Sequence, residues 1–380
     1  MNAPHRGGLR PLQRLPLLLL AMAALLVGVG GGLWRLGWAF PLPASLAAQG
    51  AAFHGPLMVS AFFGTVIALE RAVALATGWA YLGPALAGAA GLALLLGAPP
   101  AVAGGLACGA AAILLLASLR VWRQQPALHN LTLALGAASW LLGNGLWLAG
   151  FPVPRVVIAW VAFLALTIAG ERLELSRFLP PSPLAQRFFA LFMALVLLGA
   201  LLMPLLPDAG TALAGLGLLA LALWLLKQDI ARRTVKQQGL TRFIAVCLLL
   251  GYFWLALGGG LLLGGGALSG SGPHYDAALH ALLVGFVFSM VFGHAPIIFP
   301  AVARVQIPYH PVFYGPLLVL HGSLALRLLG DLLPESGLRP WGGAGTGLAL
   351  SPAAFSRRPA GGSGPGSPGR SPRCACPCGP

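Results

Sequence analysis

Residues 279–300 read LHALLVGFVFSMVFGHAPIIFP, an almost wholly apolar stretch that nevertheless carries two histidines, His280 and His294. About 20 consecutive apolar residues in a helix are enough to cross the hydrocarbon core of a bilayer. Ionisable side chains at membrane depth are costly, and they usually face the interior of a helical bundle or a functional site. The stretch therefore predicts a transmembrane helix whose two imidazoles need an explanation.

The composition extends this prediction to the whole chain of 380 residues. Hydrophobic residues make up 58% of it and charged residues only 8%, whereas a soluble domain has roughly 25% charged residues. Because a backbone in lipid must satisfy its polar groups internally, the spans should be helices. We predict an all-α, polytopic transmembrane bundle in contact with the lipid bilayer, located in the inner or plasma membrane of a prokaryote.

Eleven apolar runs are separated by Pro- and Gly-rich connections, and a twelfth begins near Trp341 and then breaks off, so we expect about 11–12 spans. The predicted spans are residues 15–40, 54–76, 81–98, 100–120, 127–150, 154–172, 187–206, 210–228, 241–265, 277–300 and 312–332.

The basic residues predict the orientation of the bundle. Of the 23 Lys and Arg residues, fifteen fall at one end of the alternating spans, four at the other end and four in the C-terminal tail. Cytoplasmic loops carry the excess of Lys and Arg, so the N-terminus is predicted to be cytoplasmic. The net charge of +15 is explained by these loops, and we expect no nucleic-acid partner.

The chain is predicted to form one transmembrane domain, residues 1–350, followed by a tail of different composition. Residues 351–380 are rich in Pro, Gly, Ser, Arg and Cys. They are interpreted either as a disordered cytoplasmic tail or as a frameshifted end that cuts the twelfth span short.

Two histidines, His54 and His280, begin the second and tenth predicted spans, and the alternation of spans puts both near the outer face. Two imidazoles from facing helices are what a bis-histidine haem requires. Glycines at Gly55, Gly64 and Gly285 would let a flat macrocycle approach the backbone. The alternative is that each histidine caps its helix and bonds to headgroups or to a neighbour.

Two further histidines are candidates for ligand binding. His294 lies 14 residues after His280, about 21 Å along a helix, so one haem cannot use both. It could bind a ligand, relay protons or bond to a carbonyl that Pro296 and Pro300 leave free. His321 lies mid-span and is the deepest of the eight histidines.

Three sets of charged residues lie at the ends of spans. Arg327 and Asp331 are spaced to form an ion pair on one helix face. The motifs IALER (residues 67–71) and IAGER (residues 168–172) place two Glu–Arg pairs at the cytoplasmic boundary. Snorkelling and mutual pairing are the expected roles of these pairs.

The span count, the cytoplasmic N-terminus and the outer histidines on spans two and ten resemble the catalytic subunit of haem-copper oxidases, in which these two helices hold the low-spin haem. LHALLVGFVFSM (residues 279–290) and FHGPLMVSAFFGTVIA (residues 53–68) are similar to segments of NnrS-like membrane proteins, a haem- and copper-associated group linked to nitric oxide metabolism. The resemblance implies a haem b held by His54 and His280.

The sequence also departs from both families. Spans six and seven, which hold the copper-ligating histidines of the oxidases, contain no histidine here, and residues 55–57 lack the second histidine of the NnrS-like pattern. A copper centre of the oxidase type is therefore not expected.

Three functions remain open from the sequence. The first is a haem protein for electron transfer or nitric oxide handling, with a redox partner. The second is a multi-pass transporter or permease that uses His294, His321 and the Glu–Arg pairs as a polar path. The third is a non-catalytic membrane protein with structural histidines.

Overall fold

The structure is a computed structural model that describes residues 8–38, 41–176, 181–265, 268, 272–303, 308–333 and 336–351. The described chain is built from helices and contains no strand, which confirms the all-α class. The predicted tail lies outside the described residues apart from Ser351.

Eleven of the described helices are long and apolar enough to cross a membrane, and each lies within about five residues of its predicted position. They are numbered span 1 to span 11 in chain order: Pro11–Arg35, His54–Leu75, Gly78–Leu95, Pro100–Gln124, Leu128–Leu148, Val153–Leu175, Pro183–Leu202, Pro207–Gln228, Gly239–Gly264, Pro273–Ile298 and Pro311–Leu332. The chain is therefore a multi-pass membrane protein. We call the end of the bundle with most Lys and Arg the inner end and the opposite end the outer end.

The interrupted twelfth run forms a short helix, Leu338–Ala349, of 12 residues. A helix of this length rises about 18 Å, which is too short for the hydrocarbon core. Its glycines allow close packing: the backbone of Arg327 in span 11 lies against Gly342, and Leu33 of span 1 lies against Gly347.

Span 6 is the most buried span: 83% of the residues in its 18-residue apolar stretch lie inside the bundle. Its Trp160 donates a hydrogen bond to the Asn144 Oδ1 atom of span 5 over 3.0 Å, and Ser60 of span 2 donates to the same oxygen over 2.7 Å. Buried polar groups that bond across helices hold a bundle together in lipid. Asn144 thereby fixes span 2, which carries His54, against spans 5 and 6.

Candidate functional site

Spans 2 and 10 contact each other through aromatic rings. The rings of Phe62 and Phe288 are stacked, with centroids 6.1 Å apart and planes inclined by 8°. Phe63 contacts the same ring at 5.2 Å. The two spans are both even-numbered, so they run in the same direction through the bundle. The helices that carry His54 and His280 are therefore parallel neighbours; span 2 begins at His54, whereas span 10 begins at Pro273, seven residues before His280.

The stacked rings also set the register of these two spans. Phe62 lies eight residues after His54, and Phe288 lies eight residues after His280. Equal offsets from a shared contact, along similar stretches of helix, put the two histidines at the same level on the outer side of the ring contact. The side chains interact electrostatically with each other and share Asp276 and Arg327 as charged neighbours. The structure thus places the two residues that the sequence predicted as a pair within electrostatic reach of each other.

Both imidazoles are oriented by backbone carbonyls. The His54 Nδ1 atom donates to the carbonyl oxygen of Gly28 over 2.7 Å, and His280 Nδ1 donates to the carbonyl oxygen of Asp276 over 2.8 Å. A carbonyl only accepts, so Nδ1 carries the proton in each ring and Nε2 keeps its lone pair. Metal-ligating histidines are commonly fixed in this way by the nitrogen that does not bind the metal.

Each histidine precedes a segment of π-helix. These segments are Leu57–Phe63 in span 2 and Ala281–Phe288 in span 10. In span 2 the segment directly follows Pro56, which lies in the first turn of the span, where proline is tolerated. π-Helical turns are rare and are frequent at functional sites. Both contain the phenylalanines that bring the spans together.

An ionic cluster surrounds His280 at the outer end. Arg327 donates two hydrogen bonds to Asp276, Nε to Oδ2 over 2.9 Å and Nη2 to Oδ1 over 3.1 Å. Arg339 Nη2 lies 3.5 Å from Asp276 Oδ1, and Arg339 Nε lies 2.9 Å from Asp331 Oδ1. The Arg339–Asp331 contact is an ion pair without hydrogen-bond alignment, and neither Asp331 oxygen has a hydrogen-bond partner among the described residues.

The predicted pairing of Arg327 with Asp331 is therefore wrong. Arg327 instead makes a bidentate contact with Asp276 of span 10, which is stronger than a single contact along one helix. Sequence reasoning missed Asp276 altogether. It lies four residues before His280, on the same helix face, and this spacing could have identified it.

Two of the three glycines, Gly64 and Gly285, do not have the predicted role, and the role of Gly55 stays a prediction. The indole of Trp140 packs directly on Gly64, and that of Trp254 packs directly on Gly285, so tryptophans occupy the space expected for a macrocycle. The glycines that contact the His54 ring belong to span 1. A Cβ atom added at Gly32 would lie 3.2 Å from His54 Cε1 and 3.4 Å from Nδ1. The His54 ring therefore rests on the backbone of span 1.

His321 is placed differently from the other candidate ligands. Its Nδ1 atom accepts a hydrogen bond from Trp254 Nε1 over 2.7 Å, and its Nε2 atom lies 3.5 Å from Ser289 Oγ. The Ser289 hydroxyl donates in turn to the Gly285 carbonyl. The Nδ1 lone pair is thus engaged and Nε2 carries the proton. This geometry favours a structural link between spans 9, 10 and 11 over a ligand role for His321.

His294 lies near the inner end of span 10 and is not close to His280 in the bundle. Its Nδ1 atom donates to the Met290 carbonyl over 2.7 Å, the ordinary carbonyl one turn earlier rather than one freed by a proline. Its Nε2 atom is buried and has no hydrogen-bond partner among the described residues. Arg172 and Asp229 are its charged neighbours. The imidazole therefore keeps an available lone pair, and its predicted ligand role stays a prediction.

A buried ionic network lies beside His294 at the inner end. Arg172 donates to Asp229 through Nε over 2.8 Å and through Nη2 over 3.1 Å. The Tyr252 hydroxyl and the Ala231 amide donate to the same carboxylate, each over 2.7 Å. Arg172 was expected to snorkel or to pair with its own Glu–Arg motif, but it is only 6% exposed and pairs with Asp229. The network ties span 6 to span 9.

The two Glu–Arg motifs meet at the inner end. Glu171 interacts electrostatically with both Glu70 and Arg71. The two motifs, which are similar in sequence, are therefore electrostatic neighbours at the inner ends of spans 2 and 6. The carboxylate of Asp229 accepts from four donor groups of Arg172, Tyr252 and Ala231 and bonds to neither motif's glutamate among the described residues.

No group of three or more His, Cys, Asp or Glu side chains that could hold a metal ion occurs in the part of the chain that the structure describes. A haem needs only two protein ligands, since its macrocycle supplies the other four. Each of His54 and His280 keeps an Nε2 lone pair, as that donor set requires. Gly64 and Gly285, predicted to admit the macrocycle, are instead covered by tryptophans.

Comparison with known proteins gives one match. A family model described as a domain of unknown function (DUF8744) matches residues 14–355. No curated protein and no solved structure matches the chain. The matched region covers spans 2 to 11 and all of span 1 except its first three residues, and it ends close to the change of composition at residue 351.

Proposed function

The chain belongs to the DUF8744 family, and we propose that it is a haem-binding membrane protein that transfers electrons, with His54 and His280 as the axial ligands. The observation that carries the proposal is the pairing of these two imidazoles at one level of adjacent parallel spans. Both offer Nε2 and have Nδ1 fixed by a carbonyl. Two such imidazoles are the axial donor set of a six-coordinate haem.

The charges around the histidines support a haem in particular. A haem carries two propionate groups, which arginine side chains bind well. Arg35, Arg327 and Arg339 outnumber Asp276 and Asp331 in the outer cluster. Arg35 is exposed, has no ion pair among the described residues and lies within electrostatic reach of His54. Arg35 is therefore the first candidate to hold a propionate.

The two-histidine site favours electron transfer over nitric oxide handling. When bound, the group supplies one-electron redox chemistry. If imidazoles occupy both axial positions, no position is open to a gas molecule. The chain has no Cys-x-x-Cys-His motif for covalent attachment, so the haem would be of the b type. A redox partner would be required on at least one side of the prokaryotic plasma membrane.

The transporter alternative is less well supported. A polar path would have to connect the outer cluster at His280 with the inner network at Asp229. The rings of Phe62, Phe63 and Phe288 are buried between these levels and contact one another. His321, which the path would use, has both ring nitrogens engaged by neighbouring spans. These contacts favour a packed core at mid-depth.

The proposal is tested by spectroscopy of the full-length protein purified from cells supplied with excess haem precursor. The oxidised and reduced protein should show a Soret band and a sharp α band of a six-coordinate haem b. His54→Ala and His280→Ala should each lose most of the haem or convert it to a five-coordinate form. A wild-type preparation without bound haem would overturn the proposal.

A matched control separates ligation from general damage. His274 is exposed and lies at the same end of the bundle, six residues before His280. His274→Ala should leave the spectrum unchanged. Size-exclusion chromatography of each variant in detergent establishes that the bundle is still folded. Equal haem loss in all three variants would argue against axial ligation by His54 and His280.

A further inference from the structure

A cavity of about 340 Å³ opens at the inner end of span 9. It is lined by Gln238, Gly239, Arg242, Val246, Tyr309 and Tyr314. Its volume falls in the range of small-molecule sites, about 300–1,000 Å³. His54 and His280 lie toward the outer end of spans 2 and 10, so this cavity is separate from the proposed haem site.

The polar groups of the cavity suit an anion. Arg242 presents a guanidinium, and Gln238 adds an amide. The Tyr314 ring lies within electrostatic reach of Arg242 and of Tyr309. The lining residues include no Asp or Glu, and Arg242 has no ion pair within the described ranges. A guanidinium without a carboxylate partner is available to an external acceptor, and phosphate oxygens match its geometry.

The cavity wall is held by aromatic packing. Phe243 is only 2% exposed. Its ring contacts those of Tyr309, Phe313 and Tyr314, with centroid distances of 6.4, 5.9 and 5.2 Å. These contacts fix both tyrosines beside Arg242. The hydroxyl donors are thus positioned before any ligand arrives, which lowers the entropic cost of binding.

The surroundings reinforce the preference for negative charge and for the membrane boundary. The connection between spans 8 and 9 carries Arg232, Arg233 and Lys236, and its one acidic residue, Asp229, is neutralised by Arg172. Val246 lies one helical turn deeper than Arg242, so the cavity changes from polar to apolar along the membrane normal. Basic pockets between spans at the cytoplasmic side are typical binding sites for anionic headgroups.

We propose that this cavity binds a phosphate group through Arg242, Tyr309 and Tyr314, supplied by an anionic phospholipid headgroup or by a soluble phosphate. The volume accommodates a headgroup, and acyl chains would extend past Val246 along the bundle surface. The proposal does not depend on haem binding. It assigns an anion site to a surface of the inner end that the redox function does not use.

The test measures binding to full-length, delipidated protein in a neutral detergent. Dioleoylphosphatidylglycerol, dioleoylphosphatidylcholine and inorganic phosphate are titrated separately, and binding is followed by the shift in thermal unfolding temperature. Arg242→Gln should weaken binding of the anionic probe about tenfold, as expected for the loss of a charge-assisted contact. Arg242→Lys should weaken it less, since the charge remains.

The control is Arg233→Gln, which removes the same charge from an exposed residue of the neighbouring connection between spans 8 and 9 that does not line the cavity. It should bind like the wild type. Tyr314→Phe provides a second variant that removes only a hydroxyl, and it should weaken binding several-fold.

The outcomes separate the two phosphate sources. Saturable binding of phosphatidylglycerol that millimolar inorganic phosphate does not displace supports the lipid headgroup. Arg242-dependent binding of inorganic phosphate alone supports a soluble anion at the same site. Equal binding of phosphatidylcholine, or equal losses in Arg233→Gln and Arg242→Gln, would overturn the proposal.

Discussion

Phe62 and Phe288 stack with nearly parallel rings eight residues below His54 and His280, and this contact keeps the two histidines at one level of the bundle. The proposed haem site requires His54 and His280 at the same height in the bundle. Apolar packing at mid-membrane sets that relative height. Two helices that run parallel and share a ring contact cannot slide past each other without breaking it. The π-helical segments that carry both rings lie between the contact and the imidazoles.

Replacing Phe288 should destabilise the bundle and disturb the histidine pair. Phe288→Ala removes a ring that is 3% exposed and leaves a cavity, with an expected cost of about 3 kcal/mol in the free energy of unfolding. Phe288→Leu keeps most of the side-chain volume and loses only the pairing of aromatic rings. It should lower the free energy of unfolding by about 1 kcal/mol. Unfolding in detergent titrated with a denaturing surfactant measures both.

Phe253→Ala is the control for this change. Phe253 is 56% exposed on the bundle surface, and its removal should cost less than about 0.5 kcal/mol. Equal destabilisation of both alanine variants would contradict the inference that the Phe62–Phe288 contact stabilises the bundle more than a surface phenylalanine does.

The buried pair of Arg172 and Asp229 should show strong coupling. Asp229→Asn leaves the guanidinium of Arg172 buried without a counter-charge, and such a loss typically costs about 3–5 kcal/mol. Tyr252→Phe removes one donor to the carboxylate and should cost about 1.5–3 kcal/mol. The double variant Arg172→Leu/Asp229→Leu should be less destabilised than the sum of the two single leucine variants.

A double-mutant cycle on surfactant-induced unfolding gives this coupling energy directly. Additive effects of the two leucine substitutions would mean that the pair does not act as a unit. Arg155→Leu is a suitable comparison, since within the described ranges the Arg155 side chain donates one hydrogen bond, to the carbonyl of Pro204 over 3.1 Å, and forms no ion pair.

His321→Ala should affect stability and leave haem binding unchanged. Its Nδ1 atom accepts the indole N–H of Trp254, and removal leaves that buried donor unpaired, at a cost of about 1–3 kcal/mol. Trp254→Phe combined with His321→Ala should cost little more than either change alone. Haem content and denaturation midpoint are measured on the same preparations. Loss of haem in folded His321→Ala protein would restore His321 as a ligand candidate.

The sequence predicts the spans well because hydrophobic length is a local property. The eleven spans and the interrupted helix at residues 338–349 follow from runs of apolar residues bounded by Pro and Gly. Asp276 was also within reach of sequence reasoning, since it stands one turn before His280. The partners of Arg172 and Arg327 could not be predicted from the sequence, because each partner depends on which spans pack against each other.

The glycine interpretation failed for a similar reason. Gly64 and Gly285 stand near the histidines in sequence, but a glycine shows only that something packs closely and does not show what. Tryptophans from spans 5 and 9 fill those positions. The glycines that support His54 are Gly28 and Gly32 of span 1, and their contact depends on how that span crosses span 2.

This contact leads to a prediction about Gly32. A Cβ atom at this position would lie 3.2 Å from His54 Cε1, so Gly32→Ala should push the ring away from span 1 and lengthen its hydrogen bond to Gly28. The variant keeps every proposed ligand, yet it should bind less haem and shift the α band.

Gly105→Ala is the matched control, since a Cβ atom there meets nothing within 4 Å. That variant should keep the spectrum and gain up to about 1 kcal/mol from the reduced entropy of its unfolded chain. A normal spectrum in Gly32→Ala, with the bundle folded, would show that the contact of His54 with span 1 does not orient the imidazole for ligation.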